Sequence, residues 1–167
     1  MSLTKHEMKW CIENIPYIPR TYWEWLSTFR FDKFKLSMSY GFDHDSVFFC
    51  NVTDNLYKVT LYEIMVLATY SEIRNDILGI YLGDETVQEI VSEKISFANE
   101  NKINFSEFGT RRRFNSRYQE KVIDYIKSDS YTCTGTPNVY YAMKYNMKPI
   151  GTFPHEWVMF HEACFWI

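Results

Sequence analysis

Three consecutive arginines follow a glycine in the segment FSEFGTRRRF, which occupies residues 105–114. Gly109 ends an apolar run, and Arg111, Arg112 and Arg113 come two residues later. A guanidinium group offers forked N–H donors that match phosphate oxygens, which a lysine ammonium does not. The segment is therefore a candidate phosphate site, with an exposed basic face at the start of a helix as an equally weighted alternative.

A second segment, GTFPHEW at residues 151–157, brings His155 just after a glycine turn. A neutral imidazole nitrogen can attack a phosphoryl group and divide one difficult transfer into two easier steps. A single histidine after a strand is more often structural. Both roles of His155 stay open on the residues alone.

From residue 103 onward the pattern alternates between strand, glycine turn and helix. The Ser116 and Gln119 pair has the spacing of a capping box at the start of one helix, and the β-α-β-α-β order favours parallel strands, whose functional loops meet at the end where the strands finish. The predicted strands are residues 103–108, 131–134 and 148–152, the predicted helices are 116–126 and 139–145, and the predicted loops are 109–113, 135–138 and 151–155.

Residues 1–102 are predicted to form helices and a small antiparallel sheet, so the fold class is α+β. Thr4 and Glu7 have capping-box spacing, and Asp43 and His44 lie in a predicted hairpin turn. The turn is interpreted as solvated, and no protein-bound metal is predicted. The predicted helices are 4–14, 21–29, 61–74 and 85–99, and the predicted strands are 34–40, 47–52 and 57–60. No function is assigned to residues 75–102.

The composition excludes several classes of protein. A net charge of −3 and a pI near 5.8 argue against a general nucleic-acid binder. The aromatic content of 19% is interpreted as core packing, several times more plausible than base stacking because the tryptophans have helical spacing. The four cysteines form no CxxC pair, and the start has no signal-peptide pattern. We expect a soluble cytoplasmic protein with reduced thiols and no membrane span.

Residues 104–161 together resemble the nicotinate phosphoribosyltransferase family, and residues 14–74 do so more weakly. The sequence LYEIMVLATYSE at residues 61–72 resembles the helix that follows the family's small sheet. The family joins nicotinate to phosphoribosyl pyrophosphate, making nicotinate mononucleotide for NAD biosynthesis, and hydrolyses ATP through a phosphohistidine. The resemblance implies that residues 103–167 are the first strands and helices of an incomplete phosphoribosyltransferase-type α/β barrel.

The resemblance also implies roles for individual residues on the phosphate side. His155 matches the phosphorylated histidine and is the catalytic candidate. Arg111 matches the arginine that contacts the ribosyl pyrophosphate, and Arg112 is a further substrate-binding candidate. ATP and magnesium are expected as substrate complexes, without a tightly bound cofactor.

On the nicotinate side, the resemblance implies that Thr152 lies close enough to hydrogen-bond the substrate. The turn GTPN at residues 135–138 resembles the family's Gly-Thr-Ser-Asn, so Thr136 and Asn138 are candidate substrate-binding residues that line the pocket, with neither substrate assigned to them. Pro137 departs from that pattern and lacks both the amide donor and the hydroxyl. The family's active site lies at a dimer interface, which predicts a homo-oligomer.

Family members are longer than this sequence. Their tyrosine-bearing start and their later barrel strands, which hold the 5′-phosphate, have no counterpart here. We therefore expect a truncated piece that self-associates and makes no product alone. Two hypotheses follow: a segment that carries part of the enzyme's active site, or a catalytically silent fragment that persists as a folded self-associating module.

Overall fold

The structure, a computed structural model, describes residues 3–40, 48–151 and 155–165. Within these ranges the chain forms seven α-helices, two short 3-10 helices and one antiparallel sheet of two strands. The predicted α+β class, with helices around a small antiparallel sheet, is confirmed.

The first two helices form a small hydrophobic cluster. Helix α1 (Lys5–Asn14) begins with the predicted capping box, in which the Thr4 amide donates to Glu7 Oε2 at 2.7 Å and the Glu7 amide donates to Thr4 Oγ1 at 3.2 Å. These hydrogen bonds lower the pKa of Glu7. Helix α2 (Arg20–Thr28) packs on α1. The buried members of the cluster are Cys11, Ile15 and Trp23.

Strands β1 (Leu36–Tyr40) and β2 (Phe48–Val52) pair antiparallel, with Met38 opposite Cys50. The alternation of side chains therefore predicted this hairpin correctly. The turn that contains Asp43 and His44 lies outside the described residues.

Helix α3 (Leu56–Ile77) corrects the predicted strand at residues 57–60, which is wrong because these residues form the first turn of the helix. Their aromatic and β-branched side chains favour a strand locally, but such propensities are weak and tertiary packing overrides them. Tyr62 is buried, and its hydroxyl accepts a hydrogen bond from the Asp32 amide at 2.9 Å. This long-range contact holds the start of the helix.

Helices α4 (Asp84–Glu100) and α5 (Ser116–Asp129) pack against each other. The predicted capping box at the start of α5 is wrong by one residue: Asn115 is the cap, and its side chain accepts from the Tyr118 amide at 2.9 Å. Ser116 instead donates its hydroxyl to Glu72 Oε1 at 3.1 Å. The side chains buried on the two helices are Val87, Ile95, Ala98, Gln119, Ile123 and Ile126.

Three short extended segments lie side by side in parallel after α4. Phe105 pairs with Cys133, and Thr136 pairs with Pro149, each as a single parallel bridge. The predicted segments thus have the expected order and direction, but they are bridges rather than long strands. Between the second and third segments lies helix α6 (Val139–Lys144), and helix α7 (His155–Phe165) follows the third.

Two further properties concern the whole described part of the chain. None of its helices combines the length and the apolar character needed to cross a bilayer. All four cysteines are free thiols, and burial raises the pKa of the Cys11 thiol to about 11.

We expect Ile123→Ala to lower the free energy of unfolding by about 2–5 kcal/mol, because it leaves a cavity in the interior beside α5. Ile123 is 0% exposed, whereas Ile77 at the end of α3 is 78% exposed. Ile77→Ala is therefore the matched control and should change stability by less than about 0.5 kcal/mol. Urea unfolding measures both, and equal effects would contradict the packing described for α5.

Candidate functional site

A buried carboxylate joins the arginine segment to the turn at residues 135–138. Glu107 is only 6% exposed, and each of its oxygens accepts hydrogen bonds. Oε1 accepts from Gln119 Nε2 at 2.7 Å and from the Gly109 amide. Oε2 accepts from Thr136 Oγ1 at 2.7 Å. One side chain therefore connects the start of the arginine turn, helix α5 and the Gly135 turn.

The same two loops have a second link nearer the surface. Asn138 Nδ2 donates to Thr110 Oγ1 at 3.0 Å, and the Asn138 amide donates to Thr136 Oγ1 at 3.2 Å. Asn138 also caps α6, since its Oδ1 accepts from the Tyr141 amide at 3.2 Å. The structure thus brings Thr136 and Asn138 beside the arginine turn. Their role in substrate binding stays a prediction.

The Thr136 side chain is not at the surface. It is 0% exposed, and its hydroxyl donates to Glu107. Its amide donates to the Lys148 carbonyl at 3.1 Å, and the Ile150 amide donates to the Thr136 carbonyl at 3.1 Å. Thr136 therefore lies beneath the surface of the site and links Glu107 to the segment around residues 148–150.

The arginine turn consists of the short 3-10 helix Gly109–Arg112 and of Arg113, which follows it. Its three arginines have different environments. Arg111 Nη1 contacts Glu63 Oε1 at 2.6 Å, and Arg113 Nη2 contacts Glu72 Oε2 at 3.1 Å. Both carboxylates belong to α3, so these ion pairs hold the arginine turn against that helix. Arg112 is exposed and has no ion pair with any residue that the structure describes.

The exposed fraction of the side chain also differs between the two arginines that pair with α3. The Arg111 side chain is 39% exposed and the Arg113 side chain is 22% exposed. An anion from solvent can therefore reach Arg111 and Arg112 more readily than Arg113. Arg113 serves the contact with α3.

His155 is the first residue of α7 and is exposed. The amino end of a helix carries unpaired amides and a partial positive charge, which stabilise a nearby anion such as a phosphoryl group. Thr152 lies outside the described residues. Among the residues the structure does describe, His, Cys, Asp and Glu form no group of three or more that could hold a metal ion.

Sequence reasoning missed Glu107, Gln119 and the two carboxylates of α3. Glu107 did leave a signal, because it is a charged residue within an apolar run and charged side chains are almost never fully buried unless partnered. Glu63 and Glu72 left none, since an acidic residue on a helix is usually solvated. Only the contact between α3 and the arginine turn identifies their role.

The sequence model described as the nicotinate phosphoribosyltransferase (NAPRTase) family matches residues 103–165. This range contains the arginine turn, the Gly135 turn and α7. Among curated relatives, nicotinate phosphoribosyltransferase 2 of Pseudomonas aeruginosa is 33% identical over 90% of this chain and 39% of its own length. The nicotinate phosphoribosyltransferase of Desulforapulum autotrophicum is 32% identical over 95% of this chain and 41% of its own length.

Solved structures have the same fold over nearly the whole chain. The crystal structure of nicotinate phosphoribosyltransferase from Porphyromonas gingivalis covers 99% of this chain and 42% of that one, with a TM-score of 0.92 and 34% identity. A putative nicotinate phosphoribosyltransferase from Saccharomyces cerevisiae covers 98% of this chain and 43% of its own, with a TM-score of 0.85 and 28% identity. The chain spans about two fifths of the length of these relatives.

We expect Gly135→Ala to destabilise the fold by about 1–3 kcal/mol or more, because overpacking forces the backbone to shift. A Cβ at Gly135 would lie 2.2 Å from the Lys148 carbonyl oxygen, and the residue has a φ of +149°. Gly151→Ala is the control, since a Cβ there meets no atom of the residues that the structure describes within 4 Å. Thermal and urea unfolding should show a clear loss for the first variant only. Equal stability of the two variants would contradict the close approach of these segments.

Proposed function

Because the chain belongs to the nicotinate phosphoribosyltransferase family, we propose that it carries part of the site that joins nicotinate and phosphoribosyl pyrophosphate. The product is nicotinate mononucleotide, a precursor of NAD. The observation that carries the proposal is the arginine turn, which Glu107 and Asn138 join to the Gly135 turn within the segment that matches the family.

We assign the ribosyl pyrophosphate to Arg111 and Arg112. Arg112 is exposed, and Arg111 is half-exposed beside Glu63, so a pyrophosphate can compete with that carboxylate for its guanidinium. A surface ion pair contributes at most about 1 kcal/mol, whereas a charge-assisted hydrogen bond to phosphate contributes about 1.5–3 kcal/mol. The exchange of partner is therefore favourable.

Residues 103–151 supply, in this proposal, the first strands of an α/β barrel. The parallel bridges Phe105 to Cys133 and Thr136 to Pro149 support it, because successive parallel segments separated by helices are the repeating unit of such a barrel. The arginine turn and the Gly135 turn then lie at the carboxyl ends of adjacent strands. Thr152, which follows the third segment in the sequence, is the residue proposed to hydrogen-bond nicotinate.

His155 is the proposed phosphoryl acceptor. One ring nitrogen forms a bond to the γ-phosphorus of ATP while the bond from that phosphorus to the bridging oxygen breaks, and ADP leaves. ATP enters as its magnesium complex. The position of His155 at the amino end of α7 supports this role, because the helix dipole stabilises the negative phosphoryl group.

We further propose that the assembled enzyme is a homo-oligomer. Helix α3 exposes several large apolar side chains, which a partner surface would cover. They are Ile64, Leu67, Ile73 and Ile77. This exposed apolar surface is the observation that supports self-association.

We expect Arg111→Ala to weaken binding of phosphoribosyl pyrophosphate by about ten- to a hundredfold, because it removes a charge-assisted hydrogen bond to phosphate. Arg20→Ala is the matched control, since Arg20 also contacts a glutamate, Glu24, at 2.8 Å but lies on α2. Isothermal titration calorimetry compares the two variants. An unchanged affinity in Arg111→Ala would assign Arg111 to the contact with α3 alone.

We expect incubation with ATP labelled on its γ-phosphate to label His155. A phosphohistidine is stable in base and labile in acid, which distinguishes it from phosphoserine. The label should disappear in His155→Ala and persist in His161→Ala, the control from the same helix. A folded chain that takes up no label would instead favour the silent self-associating module.

A further inference from the structure

We infer that Glu107 is a positioning residue, which sets the distance between the arginine turn and the Gly135 turn so that both line one substrate pocket. The inference rests on the proposed function, in which the two turns belong to the same site. At 6% exposure, Glu107 itself is covered by protein and acts through its hydrogen-bond partners.

The backbone and the side chain of Glu107 both hold the Gly135 turn. The Glu107 amide donates to the Gly135 carbonyl at 3.0 Å, while Oε2 accepts from Thr136 Oγ1 at 2.7 Å. Oε1 meanwhile accepts from the Gly109 amide at the start of the arginine turn. The two oxygens of one carboxylate therefore face two different loops.

The chemistry of the partners favours a carboxylate at this position. All three partner groups donate: an amide N–H, a side-chain NH₂ and a hydroxyl. An ionised carboxylate is acceptor-only and can satisfy all three. A glutamine could meet the same partners only with its NH₂ group turned toward the Thr136 hydroxyl, and its hydrogen bonds would lose the assistance of the negative charge, so the links between the loops would be weaker.

The packing around Gly109 shows how closely the arginine turn approaches Glu107. A Cβ at Gly109 would lie 2.8 Å from Glu107 Oε1 and 3.0 Å from Gln119 Oε1. Any larger residue would displace the carboxylate from its donors. Glycine at this position and glutamate at 107 therefore act together to bring the turn close.

The consequence for function is geometric. A misplacement of about 1 Å in a catalytic site can cost on the order of a hundredfold in rate. Arg111 and Arg112 follow Gly109, and Asn138 follows Thr136, so a change at Glu107 moves the two sets of groups relative to each other. The outer contact between Asn138 and Thr110 is a single hydrogen bond between the same two loops, whereas Glu107 accepts three.

The test compares Glu107→Gln with Glu120→Gln, whose carboxylate lies on α5 and pairs with Lys144 at 2.5 Å. Two probes are titrated: phosphoribosyl pyrophosphate, which the inference places against both turns, and inorganic pyrophosphate, which it places against the arginine turn alone. We expect Glu107→Gln to weaken phosphoribosyl pyrophosphate binding about tenfold or more, since misplaced groups lose their contacts, and to change pyrophosphate binding less than about threefold. Glu120→Gln should leave both unchanged.

A purely structural role would weaken both probes in proportion, which would overturn the inference, as would unchanged binding of both. A second pair of variants serves if Glu107→Gln does not fold. Thr136→Val removes the hydroxyl and should reproduce the selective loss, whereas Thr136→Ser keeps it and should retain binding. If the unsubstituted chain binds neither probe, the proposed function fails as well; if it binds both and the variants do too, only the positioning role fails.

Discussion

The hydrogen bonds of the Glu107 carboxylate are the constraint on which the candidate site depends. A buried charge is costly unless its partners satisfy it, and here donors from the arginine turn, α5 and the Gly135 turn do so. Oε1 has two donors, whereas Oε2 depends on the Thr136 hydroxyl, so removing that hydroxyl would leave Oε2 without the donor that the structure shows. The arrangement is therefore cooperative, because the arginine turn, α5 and the Gly135 turn all donate to the same carboxylate.

Helix α3 supplies the second constraint, from the opposite side of the arginine turn. Glu63 and Glu72 hold Arg111 and Arg113 along one helix, which leaves Arg112 exposed between them. The N-terminal helices and hairpin thus have a role that their own sequences do not reveal. Trp25 of α2 packs on Tyr57 and Phe48 of β2 stacks on Tyr70, so α2 and the hairpin contact α3. Helix α3 in turn orients the arginines that the proposed function uses.

The three arginines differ in whether they pair with α3 or face solvent. A single guanidinium cannot both anchor a loop and remain available to a ligand at full strength. Arg113 is less exposed than Arg111 and holds the loop against α3, whereas Arg112 faces solvent. Arg111 has an intermediate environment, since its carboxylate partner can be exchanged for phosphate at small cost.

The sequence by itself determined the features that depend on neighbouring residues. The Thr4 and Glu7 capping box, the hairpin of β1 and β2, and the order of segments after residue 103 all follow from contacts close in the chain or from side-chain periodicity. The segments FSEFGTRRRF and GTFPHEW, which carry the resemblance to nicotinate phosphoribosyltransferases, are also local patterns. Local signals failed where two of them competed, as at residues 57–60 and at the start of α5.

Only the tertiary structure decided which side chains meet across the fold. Arg111 and Glu63 are 48 residues apart in the chain, and Thr136 and Glu107 are 29 apart. No spacing rule relates such pairs, because their contact results from the packing of whole elements. Glu107 and Thr136 each look ordinary in the sequence. Their partnership exists because two parallel segments come together around a buried charge, which is an outcome of packing rather than of local pattern.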